Sequence, residues 1–301
     1  MTDLILHHYD ASPFTQKALL MLGCKGATWR SVETPMMPPK DDLVALTGGY
    51  RGTPVLQHGA DIYIDSQRIA TVLDQLMPQH PLLPAACGGL ALMLNRWSDT
   101  FFRCALYRAI DQTVAHWDPA FVADRRQLFP DVDFDRAAAE APHRADQFRA
   151  HCALLEQQLA DGRAFLGGPH PTLLDVQAWP FIWMSKGLAG TDELLAGFDR
   201  LAAWDTRVAA IGEGERLPIE ADVALDEARA LEPEPVAPTE GFGGLQAGAQ
   251  VTVEPDDTRR GGVTGELLHV SPDTIIVRHR NDRVGAVHVH FPRIGYRISP
   301  D

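Results

Sequence analysis

Ser12 stands directly before Pro13 and Phe14, three residues after Tyr9, with Lys17 following. A Ser before Pro at the start of a helix can cap amide N–H groups that the helix leaves unpaired, and it sits where the helix dipole is positive. Asp65-Ser66 has the same character, an acid and a hydroxyl placed before an amphipathic run. Between them lie the cations Lys40 and Arg51 and the turn-to-strand junction Thr53-Pro54-Val55; read alone, these are solvated charges and an edge-strand proline, in cis or in trans. Further on, Thr172-Leu173-Leu174-Asp175 has the spacing of a capping box, a structural device. Near the end, His288 and His290 share one face of a strand and could chelate a metal with His279 or His269 across a ladder. Paired strand histidines are more often exposed or hydrogen bonded, and no metal is expected.

These residues need particular elements to hold them. Leu4 to Tyr9 reads as a strand that runs into a helix opened by Ser12-Pro13 and continuing to about Leu22. Residues 53–66 read as two short strands about a His58-Gly59-Ala60-Asp61 turn, followed by a helix with Ile69, Val72, Leu73 and Leu76 on one face. Residues 1–80 are therefore a mixed α/β domain, and 88–230, with helical periodicity throughout, an all-α domain. The stretch 231–244, LEPEPVAPTEGFGG, is a Pro/Glu/Gly linker. Residues 245–301 alternate in short runs between Gly, Pro and Asn-Asp turns, which predicts a small all-β, SH3-like domain.

Composition narrows the function. The chain has 301 residues, 45% of them hydrophobic, enough for more than one core. A net charge of −13 argues against nucleic acid as a partner, because phosphate binding depends on clustered Lys and Arg. In residues 245–301 seven acidic side chains face seven Arg, so the acidity lies in the preceding part. No apolar run reaches the ~18 residues of a membrane span, and Met1-Thr2-Asp3 leads into no signal-type stretch, so a cytoplasmic, non-membrane protein is expected. Cys24, Cys87, Cys104 and Cys152 form no C-x-x-C pair and are expected to be reduced, buried thiols.

The order Ser12-Pro13-Phe14 with Lys17, then Thr53-Pro54-Val55-Leu56, then Asp65-Ser66, then a helical domain with Thr172 and Asp175, resembles the glutathione S-transferase family, its serine-type classes in particular. The resemblance covers about residues 1–225. It implies a thioredoxin-like domain that binds glutathione as co-substrate, with Ser12 activating the sulfur and Tyr9 as the rival donor. A thiol of pKa near 8.5 is only ~3% thiolate at pH 7, and lowering it by about two units takes ~2.7 kcal/mol. One hydroxyl donor to the anion (~1.5–3 kcal/mol) and a helix start (~0.3–1 kcal/mol) can supply that together.

By the same resemblance, Phe14 belongs to the glutathione site, and Thr53 with cis Pro54 leads to Val55, whose backbone would pair with the cysteinyl part. Asp65 and Ser66 would hold the γ-glutamyl carboxylate, and Lys40 and Arg51 the glycyl carboxylate. Trp97, Phe101 and Arg108 would line the pocket of an unknown electrophile against the helical domain. One segment departs from the family: TPMMPPKDDLVALTGGYRGTP carries Gly48-Gly49-Tyr50 where members often have Asn-Pro and basic residues. The expected function is transfer of the glutathione thiolate to an electrophilic small molecule, as in detoxification, by a homodimer. The alternative is a non-catalytic dimerisation or docking module whose β tail, through aromatic and Arg groups in HFPRIGYRI, binds a protein partner.

Overall fold

Strand β1 (Leu4–His8) is buried at every residue, including His7 and His8, as expected of a strand flanked on both edges and covered on both faces. In the computed structural model, which describes residues 3–237, 244–258 and 260–301, β1 is followed by α1 (Pro13–Lys25), β2 (Thr28–Glu33), α2 (Asp41–Thr47), β3 (Val55–His58), β4 (Asp61–Ile64) and α3 (Ser66–Leu76). β1 pairs in parallel with β2 and antiparallel with β3, and β3 pairs antiparallel with β4. This is the thioredoxin-like domain that the sequence implies. The chain divides into two compact units: Met1–Thr15, Thr28–Val72 and Glu215–Asp301 form one, and Gln16–Ala27 with Leu73–Gly214 the other.

The second unit is helical, with α4 (Gly88–Met93), α5 (Asn95–Thr113), a 3₁₀ turn (Val114–His116), α6 (Pro119–Leu128), α7 (Ala137–Gln158), α8 (Leu173–Ser185), α9 (Thr191–Leu195) and α10 (Asp199–Ala209). Among the described residues no helix is long and apolar enough to cross a membrane. Helices α5, α7 and α8 meet through Phe101, Phe148 and Phe181, with ring centroids 5.1 to 5.6 Å from Phe101. Helix α8 opens with the capping box of Thr172 and Asp175. The buried Asp175 carboxylate accepts N–H groups of Thr172 at 2.9 Å, Leu166 at 2.8 Å and the Trp204 indole at 2.8 Å. Burial nonetheless pushes its pKa up, while these donors favour the anion. Lys17 is buried in this unit, its Nζ donating to Ser98 Oγ at 2.7 Å, and Ser98 donates to the Gln177 carbonyl at 3.1 Å.

Two elements that the sequence reading grouped with the helices belong to the first unit: β5 (Glu215–Pro218) and α11 (Ala221–Ala230). β5 pairs in parallel with β2 and is largely exposed, so it lacks the apolar alternation that marks a strand in sequence. Helix α11 sets Ala224 against Ile5 and Val32 and puts Leu225 and Ala228 into the core beside Val55 and Ile62. Of the linker expected at 231–244, residues 238–243 lie outside the described residues.

The tail is all β: β6 (Gln250–Pro255), β7 (Val263–Val270), β8 (Thr274–Asn281), β9 (Gly285–Pro292) and β10 (Tyr296–Pro300), antiparallel in the order β10-β6-β7-β8-β9. It does not stand apart. β9 pairs in parallel with β4, Asp61 opposite His288 and Tyr63 opposite His290, and one ten-stranded sheet results. Val251, Val253, Leu267, Val287 and Phe291 share a core with Leu43 and Leu46 of α2 and with Tyr50.

The tail also meets the unusual loop after α2. The Arg51 N–H donates to the Arg260 carbonyl at 2.7 Å. A Cβ on Gly49 (φ +133°) would lie 2.2 Å from the Gly262 carbonyl oxygen, and one on Gly261 (φ +89°) 2.3 Å from that of Gly49. Backbone approach this close admits only glycine. Arg283 pairs with Asp42 at 2.6 Å and Asn281 Nδ2 donates to the Ala45 carbonyl at 2.7 Å.

Within β1, His7 Nε2 lies 2.9 Å from Gln57 Oε1, and Gln57 Nε2 donates to the Gly59 and Ala224 carbonyls at 3.0 and 2.8 Å. His8 Nε2 lies 2.9 Å from Ser31 Oγ. Burial lowers both imidazoles to about 4, so they fold neutral and the unfolded chain binds their protons first. Stability from each is fully present above the unfolded value near 6.5 and is lost as pH falls towards 4, by up to about 3 kcal/mol per group. Denaturant unfolding from pH 7 to 4 will show this decline, and His7→Gln will flatten it. Gly49→Ala will destabilise the fold by about 2 kcal/mol or more through strain at positive φ and the carbonyl contact, read as a lowered urea midpoint at pH 7.

Candidate functional site

Strand β1 ends in a turn in which the Ser12 N–H donates to the Tyr9 carbonyl at 3.2 Å. Ser12 is buried, and its Oγ accepts the Thr15 N–H at 3.2 Å, capping α1. A capping oxygen accepts; its own O–H proton stays available for an anion at the helix start. Tyr9 is half-buried, with the Lys40 ammonium 5.2 Å from its ring centroid. Lys40 is itself nearly buried, directly before α2. Phe14 is half-buried in the first turn of α1.

The Thr53–Pro54 bond is cis. Val55 is fully buried within the sheet, opposite His7 of β1 on one side and Ile64 of β4 on the other, so both edges of its backbone face strands. Thr53 precedes the strand and is half-buried. At the end of β4, Asp65 adopts φ +79°, a left-handed conformation that Asp tolerates better than most residues. Its Oδ1 accepts the Gln67 N–H at 2.9 Å and its carbonyl the Ile69 N–H at 2.9 Å, and Ser66 is the first residue of α3.

Three residues that sequence reading did not select stand at this place. Tyr296 of the tail donates from its hydroxyl to Asp65 Oδ2 at 3.3 Å. Tyr50 hydrogen bonds to Tyr296 and to Arg260. The Arg260 guanidinium lies 5.5 Å from the Phe14 ring centroid. Burial pushes the pKa of both phenols up, so both are neutral donors at physiological pH. The aromatic and Arg-rich segment 290–298 signalled contact, and Gly48-Gly49-Tyr50 signalled a departure, but nothing in the sequence joined the two.

The three residues expected to line an acceptor pocket lie within the helical unit. Phe101 is fully buried among Phe148, Phe181 and His151. Arg108 is buried too, donating to the Ala189 carbonyl and Thr191 Oγ1, both at 3.1 Å, and burial lowers its pKa. Trp97 lines a largely apolar cavity of about 270 Å³ with Leu90, Leu94, Leu154 and Gln177. The tail histidines have protein partners: His290 with Asp61 at 2.7 Å, His269 with the Ala237 carbonyl at 3.0 Å, and His279 with Asn281 at 2.9 Å. The four cysteines are free thiols; Cys104 and Cys152 are buried, while Cys24 and Cys87 are only half-buried.

Comparison with known proteins accounts for this architecture. The family model described as glutathione S-transferase, N-terminal domain matches residues 6–81, and that for the C-terminal domain residues 135–204. A glutathione S-transferase-like protein from Pseudomonas syringae is 33% identical over 100% of both chains, with a TM-score of 0.81, so the likeness includes the β tail. A glutathione S-transferase of Ceriporiopsis subvermispora, solved in complex with glutathione, matches 69% of this chain and 97% of its own at 16% identity and a TM-score of 0.57. Rice GST1, also in complex with glutathione, matches 75% and 94% at 22% identity and a TM-score of 0.50; these two share the fold. No curated protein matches the chain. With strand-to-helix turn, cis Pro54, Asp65-Ser66 helix start and helical unit all in place, the chain belongs to the glutathione S-transferase family.

Proposed function

We propose that the protein binds glutathione and activates its thiol for attack on an electrophilic small molecule. The observation that carries this reading is Ser12, buried at the start of α1 with its oxygen accepting the Thr15 amide, which orients the hydroxyl and leaves its proton for a thiolate. A charge-assisted donor of this kind, with the helix dipole behind it, supports a thiol pKa lowered by about two units. Ser12 is preferred over Tyr9 because it sits at the start of α1, where the helix dipole adds to its hydroxyl in stabilising a thiolate.

Glutathione would lie along the first unit, its cysteinyl backbone at Thr53, its γ-glutamyl carboxylate at Ser66 and the amides of α3, and its glycyl carboxylate toward Lys40 and Arg51. The thiolate forms a bond to carbon as the electrophile's leaving group departs, or as its π electrons move to an acceptor atom. Family membership further supports a homodimer acting in the cytoplasm in detoxification. The rival reading, a non-catalytic docking module, is weakened by a tail whose strands are engaged in the first unit's sheet.

Calorimetric titration of glutathione, with bound thiolate followed by ultraviolet absorbance, tests the proposal. Wild type is expected to bind in the micromolar to low-millimolar range with a thiolate signal. Ser12→Ala should lose that signal, with affinity changed by less than about fivefold, while Asp65→Ala should weaken binding by about tenfold. Absence of binding at ~10 mM, a limit near −2.7 kcal/mol, would defeat the transferase reading.

A further inference from the structure

Family members of ordinary length have no counterpart to the β tail, yet here it reaches the candidate glutathione site. Arg260 precedes Gly261 and Gly262, and residues 260–262 are fixed to the loop after α2 by the Arg51 N–H bond and the Gly49 and Gly261 approach. Its side chain extends to Phe14, two residues beyond Ser12 in the first turn of α1. The buried Tyr50 hydrogen bonds to it and to Tyr296, and Tyr296 donates to Asp65. A continuous polar chain therefore runs from Arg260 through Tyr50 and Tyr296 to the acid before α3.

This chain has a charge logic. Burial opposes a charge at Arg260, but the Asp257 and Asp65 carboxylates near it favour the cation, and a guanidinium stays protonated in any case. A guanidinium has five N–H donors in a planar fork suited to a carboxylate. The Asp65 oxygens already accept from Gln67 and Tyr296. The Tyr50 hydroxyl hydrogen bonds to this guanidinium and steadies it. Such a group is pre-organised for a second, incoming carboxylate.

We propose that Arg260 is an anion-binding residue of the glutathione site, supplied by the tail and directed at the α-carboxylate of the γ-glutamyl end. The γ-glutamyl end is favoured because the Arg260 side chain meets Phe14 and is linked to Asp65, whereas its contact with Arg51, on the glycyl side, is through the backbone alone. The tail is then part of the binding site and not an appended module. The inference rests on glutathione being the co-substrate.

The test uses the full chain, titrated with glutathione, with γ-glutamylcysteine, which lacks the glycyl carboxylate, and with cysteinylglycine, which lacks the γ-glutamyl residue. Arg260→Gln is expected to weaken glutathione and γ-glutamylcysteine by about tenfold or more and to leave cysteinylglycine unchanged; Arg260→Lys, which keeps charge but loses the fork, should weaken the first two by about threefold to tenfold. Should Arg260→Gln fail to fold, the Lys variant and Tyr296→Phe, which removes only the hydroxyl bonded to Asp65, carry the same comparison. Wild type that binds neither γ-glutamyl peptide overturns the co-substrate reading beneath the proposal. Wild type that binds both, with the folded Arg260 variants within about twofold, overturns the role of Arg260 alone, as does a loss confined to glutathione and cysteinylglycine.

Discussion

The parallel pairing of β9 with β4 is the contact on which the rest of this structure depends. Left alone, β4 would present an open edge, with unpaired amides and carbonyls and a buried-type sequence, DIYI. β9 covers that edge in a register set by one carboxylate. Asp61 accepts His290 Nε2 at 2.7 Å and the Glu234 N–H at 2.8 Å, and the His290 ring stacks on Tyr63 at 4.5 Å. A buried carboxylate is tolerated only with such donors. Sliding β9 by one residue would turn His290 to the other face and orphan Asp61. Burial lowers the His290 pKa while the Asp61 hydrogen bond raises it.

Once that register is set, the tail's inward face falls over α2 and the loop behind it. The apolar faces of β6, β7 and β9 complete a core that Leu43, Leu46 and Tyr50 could not close by themselves. The same placement brings a tail loop to the backbone of Gly49 and Arg51. A side chain at 49 has no room there. The loop that departs from the family pattern is thus shaped by the segment that the family pattern lacks.

Much of this was legible in the sequence, and the parts that were not share a cause. Ser12-Pro13, Asp65-Ser66 and the Thr172–Asp175 box are local devices whose spacing carries their meaning, and each opens the helix expected of it. The five strands of the tail alternated visibly. What pairs with what was hidden: β4 with β9 and β2 with β5 are pairings between distant segments, and neither leaves a local mark. β5 is too short and too exposed to show a period. In the site, Gly48-Gly49-Tyr50 was visible as an anomaly, but its partner Arg260 looked like any surface Arg beside a Gly-Gly turn. Phe101 and Arg108 show the limit of helical spacing, which marks a face as apolar without saying whether it lines a cavity or a core; both side chains are buried.

The first unit is assembled from both ends of the chain, with nearly all of the helical unit encoded between its halves. On a ribosome the two ends are separated in time. With Asp61 paired to His288 and synthesis at ~5–20 residues per second, β4 must wait on the order of 10–45 s for its neighbour. Through that interval a short apolar edge, the unfilled side of α2 and the twin glycines stay open to other chains. Cells making this protein therefore face a folding step governed by translation of β9 and the strands around it, and a chain truncated before β9 is an aggregation hazard even though its thioredoxin-like and helical segments are complete.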